Sequence, residues 1–197
     1  MARGETRVPW AAVFGNEHPV EFEIGPGRGD VLLALAAATP GTNFFAVERA
    51  ARDAAAIMAK ASARGLANVR VIAGDARCVV ARLVAEASVA VYHIYFPDPW
   101  PKRRHRMRRL ADPDFAAGLV RTLVRGGVVH VASDLRRVVE ELTAVLGAAG
   151  LVPVDAADPP GRPTTPYERK YGQGGTHYAR LVRPEEKGAP APVAADG

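Results

Sequence analysis

A chain of 197 residues, 48% hydrophobic and 24% charged, is long enough for one globular domain with a sizeable core and too short for two comfortable ones. The single cysteine, Cys78, excludes an internal disulfide and a cysteine-built metal site, and no apolar run exceeds the eight residues from Val31 to Ala38, so the expectation is a membrane-free, metal-free protein of the reducing cytoplasm. The formal charge of +5 is local, because six of the eight residues from Lys102 to Arg109 are Lys or Arg and +5 less those six leaves −1.

In chain order, residues 1–19 are expected to be a loose segment, 20–183 one folded domain and 184–197 a loose tail. Short apolar runs at Val20–Ile24, Asn43–Val47, Val69–Ala73, Val89–Phe96 and Val128–Ala132 predict strands buried on both faces. Between them, stretches at about Gly29–Thr39, Ala50–Arg64, Ala76–Ala87, Pro113–Arg125 and Leu135–Ala149 have helical length and composition. This alternation predicts an α/β fold with a Rossmann-like, doubly wound, mostly parallel sheet. Leu151–Val154 and Thr176–Val182 would bring it to seven strands, the last antiparallel because no long helical stretch separates that pair. Pro159 to Gly175, with four prolines and four glycines, forms a long loop between them.

Chemistry-bearing residues fall at the ends of the expected strands. Glu23-Ile24-Gly25-Pro26-Gly27-Arg28-Gly29 stands where the first strand hands over to the first helix, allowing a tight turn and close approach of a ligand to bare backbone. Its third glycine comes one residue early for a dinucleotide motif, and Asp30 would sit badly beside a pyrophosphate, so a cofactor without phosphates fits better. Glu48 closes the second strand where doubly wound folds place a carboxylate on ribose hydroxyls. Gly74-Asp75-Ala76 follows the third, with Asp75 suited to an adenine amine. Helix capping is the plainer role for Glu48 and Asp75, and a structural turn the plainer role for the glycines.

After the fourth strand, Phe96-Pro97-Asp98-Pro99-Trp100-Pro101 frames one carboxylate with prolines that restrict its backbone. The cationic block of Lys102, Arg103, Arg104, Arg106, Arg108 and Arg109 follows at once, a grip for a polyanion such as RNA or, more plainly, a solvated charged loop. Taken with the glycine turn, Glu48 and Asp75, this segment, Ser133-Asp134 and Thr165-Pro166-Tyr167-Glu168 resemble the bacterial tRNA (guanine-N7)-methyltransferase family over about Val20 to Val182.

That resemblance implies a class I fold that uses S-adenosylmethionine to methylate N7 of a guanosine in the tRNA variable loop. It implies cofactor contacts from Glu23, Gly25, Gly27, Gly29, Glu48, Asp75 and Ala76, with Asp98 at the reaction centre and also near the cofactor. Lys102, Asp134 and Thr165 to Glu168 would hold the target nucleotide, and Arg103, Arg104 and Arg106 the tRNA phosphates. Leu135 departs from the pattern, standing where many members carry Trp. Because guanine N7 offers an unprotonated lone pair, no strong base is needed, and alignment of acceptor and donor is the main task. Trp100 and Tyr167 are the aromatic candidates to stack an extruded purine. The rival readings are a methyltransferase for a small metabolite and a catalytically silent RNA-binding protein on the same fold.

Overall fold

The computed structural model describes residues 7–98, 110–155, 157–158, 161–165, 168–169 and 175–185. Five strands, β1 (Val20–Ile24), β2 (Asn43–Glu48), β3 (Val69–Ala73), β4 (Val89–Tyr95) and β5 (Leu123–Ser133), run parallel, while β6 (Val152–Asp155) and β7 (His177–Val182) pair antiparallel. The sheet order is β3-β2-β1-β4-β5-β7-β6, the expected doubly wound arrangement with its antiparallel last strand. Since the first crossovers run outward through β2 and β3 and the next return through β4, the chain reverses direction beside β1, where open α/β sheets make their ligand crevice.

Strand β2 shows how both faces are covered. Phe44 and Ala46 join a cluster with Leu32 and Leu33 of α2 (Asp30–Ala38) and Ile57 and Ala61 of α3 (Ala51–Ala63). Phe45 and Val47 point the other way, into a core with Val79 and Val80 of α4 (Ala76–Arg82), Phe115 and Leu119 of α5 (Pro113–Thr122), and Val138 and Leu142 of α6 (Arg136–Ala148). Each fully buried side chain of this size contributes about 1.5–3 kcal/mol from removal of apolar surface from water. Phe22, with no exposed surface, packs edge-on to Phe45 at 5.1 Å between ring centres and beside Tyr92 at 5.2 Å.

Three differences from the expected elements have local causes. Residues Trp10–Phe14, expected to be loose, form a short helix whose Trp10 ring lies 5.0 Å from Phe45 and whose indole N–H donates to Ser88 Oγ at 3.1 Å. Helix α4 ends at Arg82 rather than Ala87, after which Val84 turns back into the core, and Ala87 takes a left-handed backbone (φ 46°). Helix α5 gives way to β5 at Leu123, well before Arg125, because Leu123 pairs with Val89 and buries completely, so sheet pairing overrides the helical pattern of the sequence.

Gly29 is the junction of α2 and α3. Its φ of 77° is left-handed, and a methyl group there would stand 2.9 Å from Ile57 side-chain carbons. Gly29→Ala should therefore cost about 1–3 kcal/mol of unfolding free energy in a urea titration, from strain plus displaced packing. A variant as stable as the parent would show that this helix contact is loose.

Candidate active site

Because β1 to β5 are parallel, the segments that follow each of them share one edge of the sheet. Gly25 and Gly27 take left-handed φ values of 69° and 56°, and the direction in which each would carry a side chain is open. Glu48 supports this turn from the neighbouring strand: Gly27 N–H donates to Glu48 Oε2 at 3.0 Å, and Ala50 N–H donates to Oε1 at 3.0 Å. Helix α3 has Ala50 as its N-cap residue and no side-chain cap, so of the two expected roles the structure shows the position beside the glycine turn. Asp75 caps α4 by accepting from Arg77 N–H at 2.9 Å and also meets Arg49 at 3.5 Å, an exposed pair that water screens. Ala76, the first residue of α4, is buried beneath it.

Glu23 lies inside β1, one residue short of its end, and is 4% exposed. Burial pushes its carboxyl up to about 8, the Arg162 cation opposes that, and the neighbouring acids Asp30 and Glu48 add to it. A single carboxyl raised in this way is poised for a cation, and its strand ends at the turn with room for a ligand. These residues fit S-adenosylmethionine, whose ammonium, ribose hydroxyls and adenine amine are all donors for carboxylates, and whose lack of phosphates suits the anionic surroundings.

One strand away, Phe96 carries a left-handed backbone, φ 47°, at the end of β4, an outlier for a bulky residue. The bend turns Pro97 and the exposed Asp98 away from the line of the strand, and both line a small cleft with Leu110, Val138 and Glu141. Glu48 thus bonds the first turn, Glu23 lies buried near the end of β1 and Asp75 follows β3 at the same sheet edge, whereas Asp98 stands across β4 toward α6.

The long loop before β7 is organised by a residue the sequence reading did not single out. Arg162 donates from Nη1 to Glu168 Oε2 at 2.8 Å and from Nη2 to Oε1 at 2.7 Å, a two-pronged pair in which both side chains are almost fully buried. Its Nε donates to Asp158 Oδ1 at 2.6 Å, and its guanidinium lies over the rings of Tyr95 and Tyr178, 5.3 and 5.4 Å from their centres. Thr165 and Glu168 form a reciprocal box: Glu168 N–H donates to Thr165 Oγ1 at 3.1 Å and Thr165 N–H donates to Glu168 Oε2 at 2.8 Å. Burial would raise the Glu168 carboxyl, but the hydrogen bonds from Arg162 and Thr165 outweigh it and hold the group below its ordinary range. The Glu168 carboxylate, expected to contact the nucleotide, is turned inward and anchors the loop. A lone Arg among prolines carries no periodic signal, so only the bulk and polarity of the loop could have marked it.

Asp134 follows β5 at the same edge, half-buried, with Ser133 Oγ 3.3 Å from its Oδ1; Ser133 Oγ also accepts from Leu135 N–H at 3.2 Å. Leu135, not Asp134, is the N-cap residue of α6. Beside it, Arg136, Val139 and Glu140 of α6 and Thr176, His177 and Tyr178 line a pocket of about 280 Å³, near the lower end of ligand-pocket sizes, ~300–1,000 Å³. Thr176 Oγ1 reaches toward Glu168 Oε1 at 3.4 Å, which ties this pocket to the anchored loop. Trp100, Lys102, Arg103, Arg104, Arg106 and Tyr167 lie outside the described residues.

Solved structures similar in chain layout include methyltransferases, and at under 20% identity they show the class I methyltransferase fold alone. A 16S rRNA (adenine(1408)-N(1))-methyltransferase variant from Catenulisporales acidiphilia, solved with its cosubstrate, superimposes with a TM-score of 0.67 at 17% identity, covering 91% of this chain and 92% of that one. The 16S rRNA methyltransferase KamB gives 0.66 at 18%, over 89% and 93%. The sheet order and the antiparallel β7 place this protein in that class of fold. A family model described as a putative methyltransferase matches residues 17–181. The tRNA (guanine-N(7)-)-methyltransferase of Mycobacterium avium is 39% identical over 176 residues, 87% of this chain and 68% of the relative. That of Bordetella parapertussis is 38% identical over 165 residues, 81% and 65%. The chain belongs to the tRNA (guanine-N7)-methyltransferase family, and spans about two thirds of the length of these curated relatives.

The raised Glu23 carboxyl has a sign that can be measured. In the unfolded chain it ionises near 4.5, and in the folded protein near 8, so its contribution to stability is fully present below 4.5 and is lost as pH rises toward 8. Between pH 6 and 8.5 the parent protein without cofactor should lose unfolding free energy more steeply than Glu23→Gln. Parallel slopes in chemical denaturation would show that Glu23 ionises normally.

Proposed function

We propose that this chain transfers the methyl group of S-adenosylmethionine to N7 of a guanosine in the tRNA variable loop. The observation that supports the reading is the glycine turn, open at Gly25 and Gly27 and bonded by Glu48 from the next strand, on a chain of this family. When bound, the cofactor supplies an electrophilic methyl group on a sulfonium. Glu23 receives its ammonium end and becomes ionised in doing so, Glu48 accepts from the ribose, and Asp75 accepts from the adenine amine, with Gly25 and Gly27 leaving the backbone bare and Ala76 flooring the adenine side. Gly29 acts indirectly, by seating α2 against α3.

Guanine N7 carries no proton, so the chain need not remove one from the nucleophile. Asp98 accepts hydrogen bonds from the guanine N1 and N2 donors, and its charge favours the purine as it becomes cationic. Its position after the strained Phe96 and between prolines limits its conformational freedom, which is the entropy that positioning must otherwise remove. The pocket between α6 and β7, whose Thr176 reaches the Glu168 carboxylate, takes the extruded nucleotide, with Asp134, Thr165, Lys102 and a stacking aromatic from Trp100 or Tyr167 as its further contacts. Arg103, Arg104 and Arg106 hold tRNA phosphates. The absence of an apolar helix long enough to cross a membrane among the described residues, together with a tRNA substrate, fits action in the cytoplasm.

Incubating the protein with unmodified tRNA and methyl-labelled cofactor, then digesting to nucleosides, should yield 7-methylguanosine from the variable loop. Label in another nucleoside, or in none, would refute the assignment. Asp98→Asn should lower kcat by roughly 10²-fold or more while leaving cofactor binding within about twofold, as expected for removal of one group that stabilises developing charge. Affinity for tRNA should fall with salt by up to about 0.7–0.9 log units per log unit for each phosphate neutralised. A salt-independent affinity would remove the cationic block from the interface.

A further inference from the structure

The first two turns of α6 separate two openings at the ligand edge of the sheet. Helical spacing turns Val138 and Glu141 to one side, into the cleft of Pro97 and Asp98, and turns Arg136, Val139 and Glu140 to the other, into the pocket of about 280 Å³ whose far wall is Thr176, His177 and Tyr178. In the sheet order β4-β5-β7, Asp98 follows β4, Asp134 follows β5, and His177 opens β7 opposite Ser133. The pocket therefore begins two strands, roughly 10 Å, from the line of β4. A purine alone does not bridge that distance, whereas a nucleotide does, with its base at one end and its phosphate at the other.

The lining shows which end belongs in the pocket. Side chains alternate along β7, so His177 shares the α6 face of the sheet with Ala179, while Tyr178 points the other way and lies under the Arg162 guanidinium, its hydroxyl 3.0 Å from Nη2. The tyrosine ring thus gives a base no face to stack on here. Thr176 turns its hydroxyl toward Glu168 at 3.4 Å. The polar groups left to meet a ligand are the Arg136 guanidinium, the His177 imidazole and the Glu140 carboxylate. Arg136 is exposed in the first turn of α6, where the helix dipole disfavours a cation and no acid accompanies it. Its charge does not stabilise the helix there, but its fork can set two parallel N–H groups against phosphate oxygens. We propose that Arg136, with His177 as a second donor, seats the backbone phosphate of the guanosine whose base is presented to Asp98. This rests on the methyltransferase reading of the site. Base, ribose and phosphate then follow the order Asp98, Asp134, Arg136 across the start of α6. Glu140 opposes an anion in the pocket, which gives the assignment a measurable sign.

The test reads tRNA affinity against salt. Binding of unmodified tRNA to the full chain is measured by fluorescence anisotropy without cofactor, over about 50–200 mM salt, for the parent, R136Q, R136K and E140Q. R136Q should bind about tenfold more weakly at low salt, and its plot of log affinity against log salt should be shallower by about 0.7–0.9, the loss of one neutralised phosphate. R136K keeps the charge and should keep the parental slope. E140Q should bind about two- to fivefold more tightly, because it removes a carboxylate beside the phosphate. An R136Q slope equal to that of the parent would overturn the proposal. So would an E140Q protein that binds tRNA more weakly, since a carboxylate that helps binding marks the donor edge of a base in the pocket. Arg136 and Glu140 are exposed, so the variants should fold and keep the parental affinity for S-adenosylmethionine, read by calorimetry without tRNA. A loss of cofactor affinity in R136Q that matches its loss of tRNA affinity would mark a structural residue and also overturn the proposal. Failure of the parent to methylate tRNA that it binds would count against the functional reading alone, since these affinities are read without turnover.

Discussion

A carboxylate buried near the end of the central strand is the constraint around which this molecule is arranged. Glu23 is almost fully buried, so its charge is disfavoured, and the cation that opposes this, Arg162, comes from a loop about 140 residues away in sequence. Asp158 and Glu168 hydrogen-bond the Arg162 guanidinium, and the rings of Tyr95 and Tyr178 lie against it. The remaining cost of ionising it is left for a cationic ligand to offset. Such a site is unstable when empty and stabilised when filled, a common arrangement where binding energy must be directed at one group.

The fold places this acid by elementary means. Parallel strands bring successive carboxyl ends to one edge, and the reversal of strand order beside β1 leaves a gap there between the crossovers. Left-handed Gly25 and Gly27 leave the first turn open where each would carry a side chain, and the Glu48 carboxylate hydrogen-bonds that turn from the next strand. Strain appears where the reaction segment begins, at Phe96, a residue type that gains nothing from a positive φ and holds it only because the surrounding structure compels it.

Much of this was legible in the sequence for physical reasons. The five parallel strands are short apolar runs bounded by turn residues, and a strand buried on both faces can hardly look otherwise; the acids at their ends interrupt those runs visibly. Glu48 and Asp75 were expected either to cap helices or to face a ligand; Asp75 caps α4, while Glu48 leaves α3 without a side-chain cap and bonds the open turn. The boundaries that differ, Arg82, Leu123 and the Trp10 helix, were decided by tertiary contacts that local pattern does not encode. Arg162 and the inward turn of Glu168 were not legible either, because a loop rich in proline and glycine has no period from which to infer which side chains face inward. The cationic block and Trp100 lie outside the described residues, and their part in the account comes from charge and family membership alone.

The central claim is geometric: one crevice, built from the ends of β1, β2 and β3, accepts an adenosyl sulfonium or its demethylated product. A crystal structure of the protein with S-adenosylhomocysteine tests it most directly. The account predicts the amino-acid end of the ligand against Glu23 and the Gly25–Gly27 turn, the ribose hydroxyls on Glu48 and the adenine amine on Asp75. Ligand density elsewhere on the molecule, or a ribose that does not touch Glu48, would contradict it.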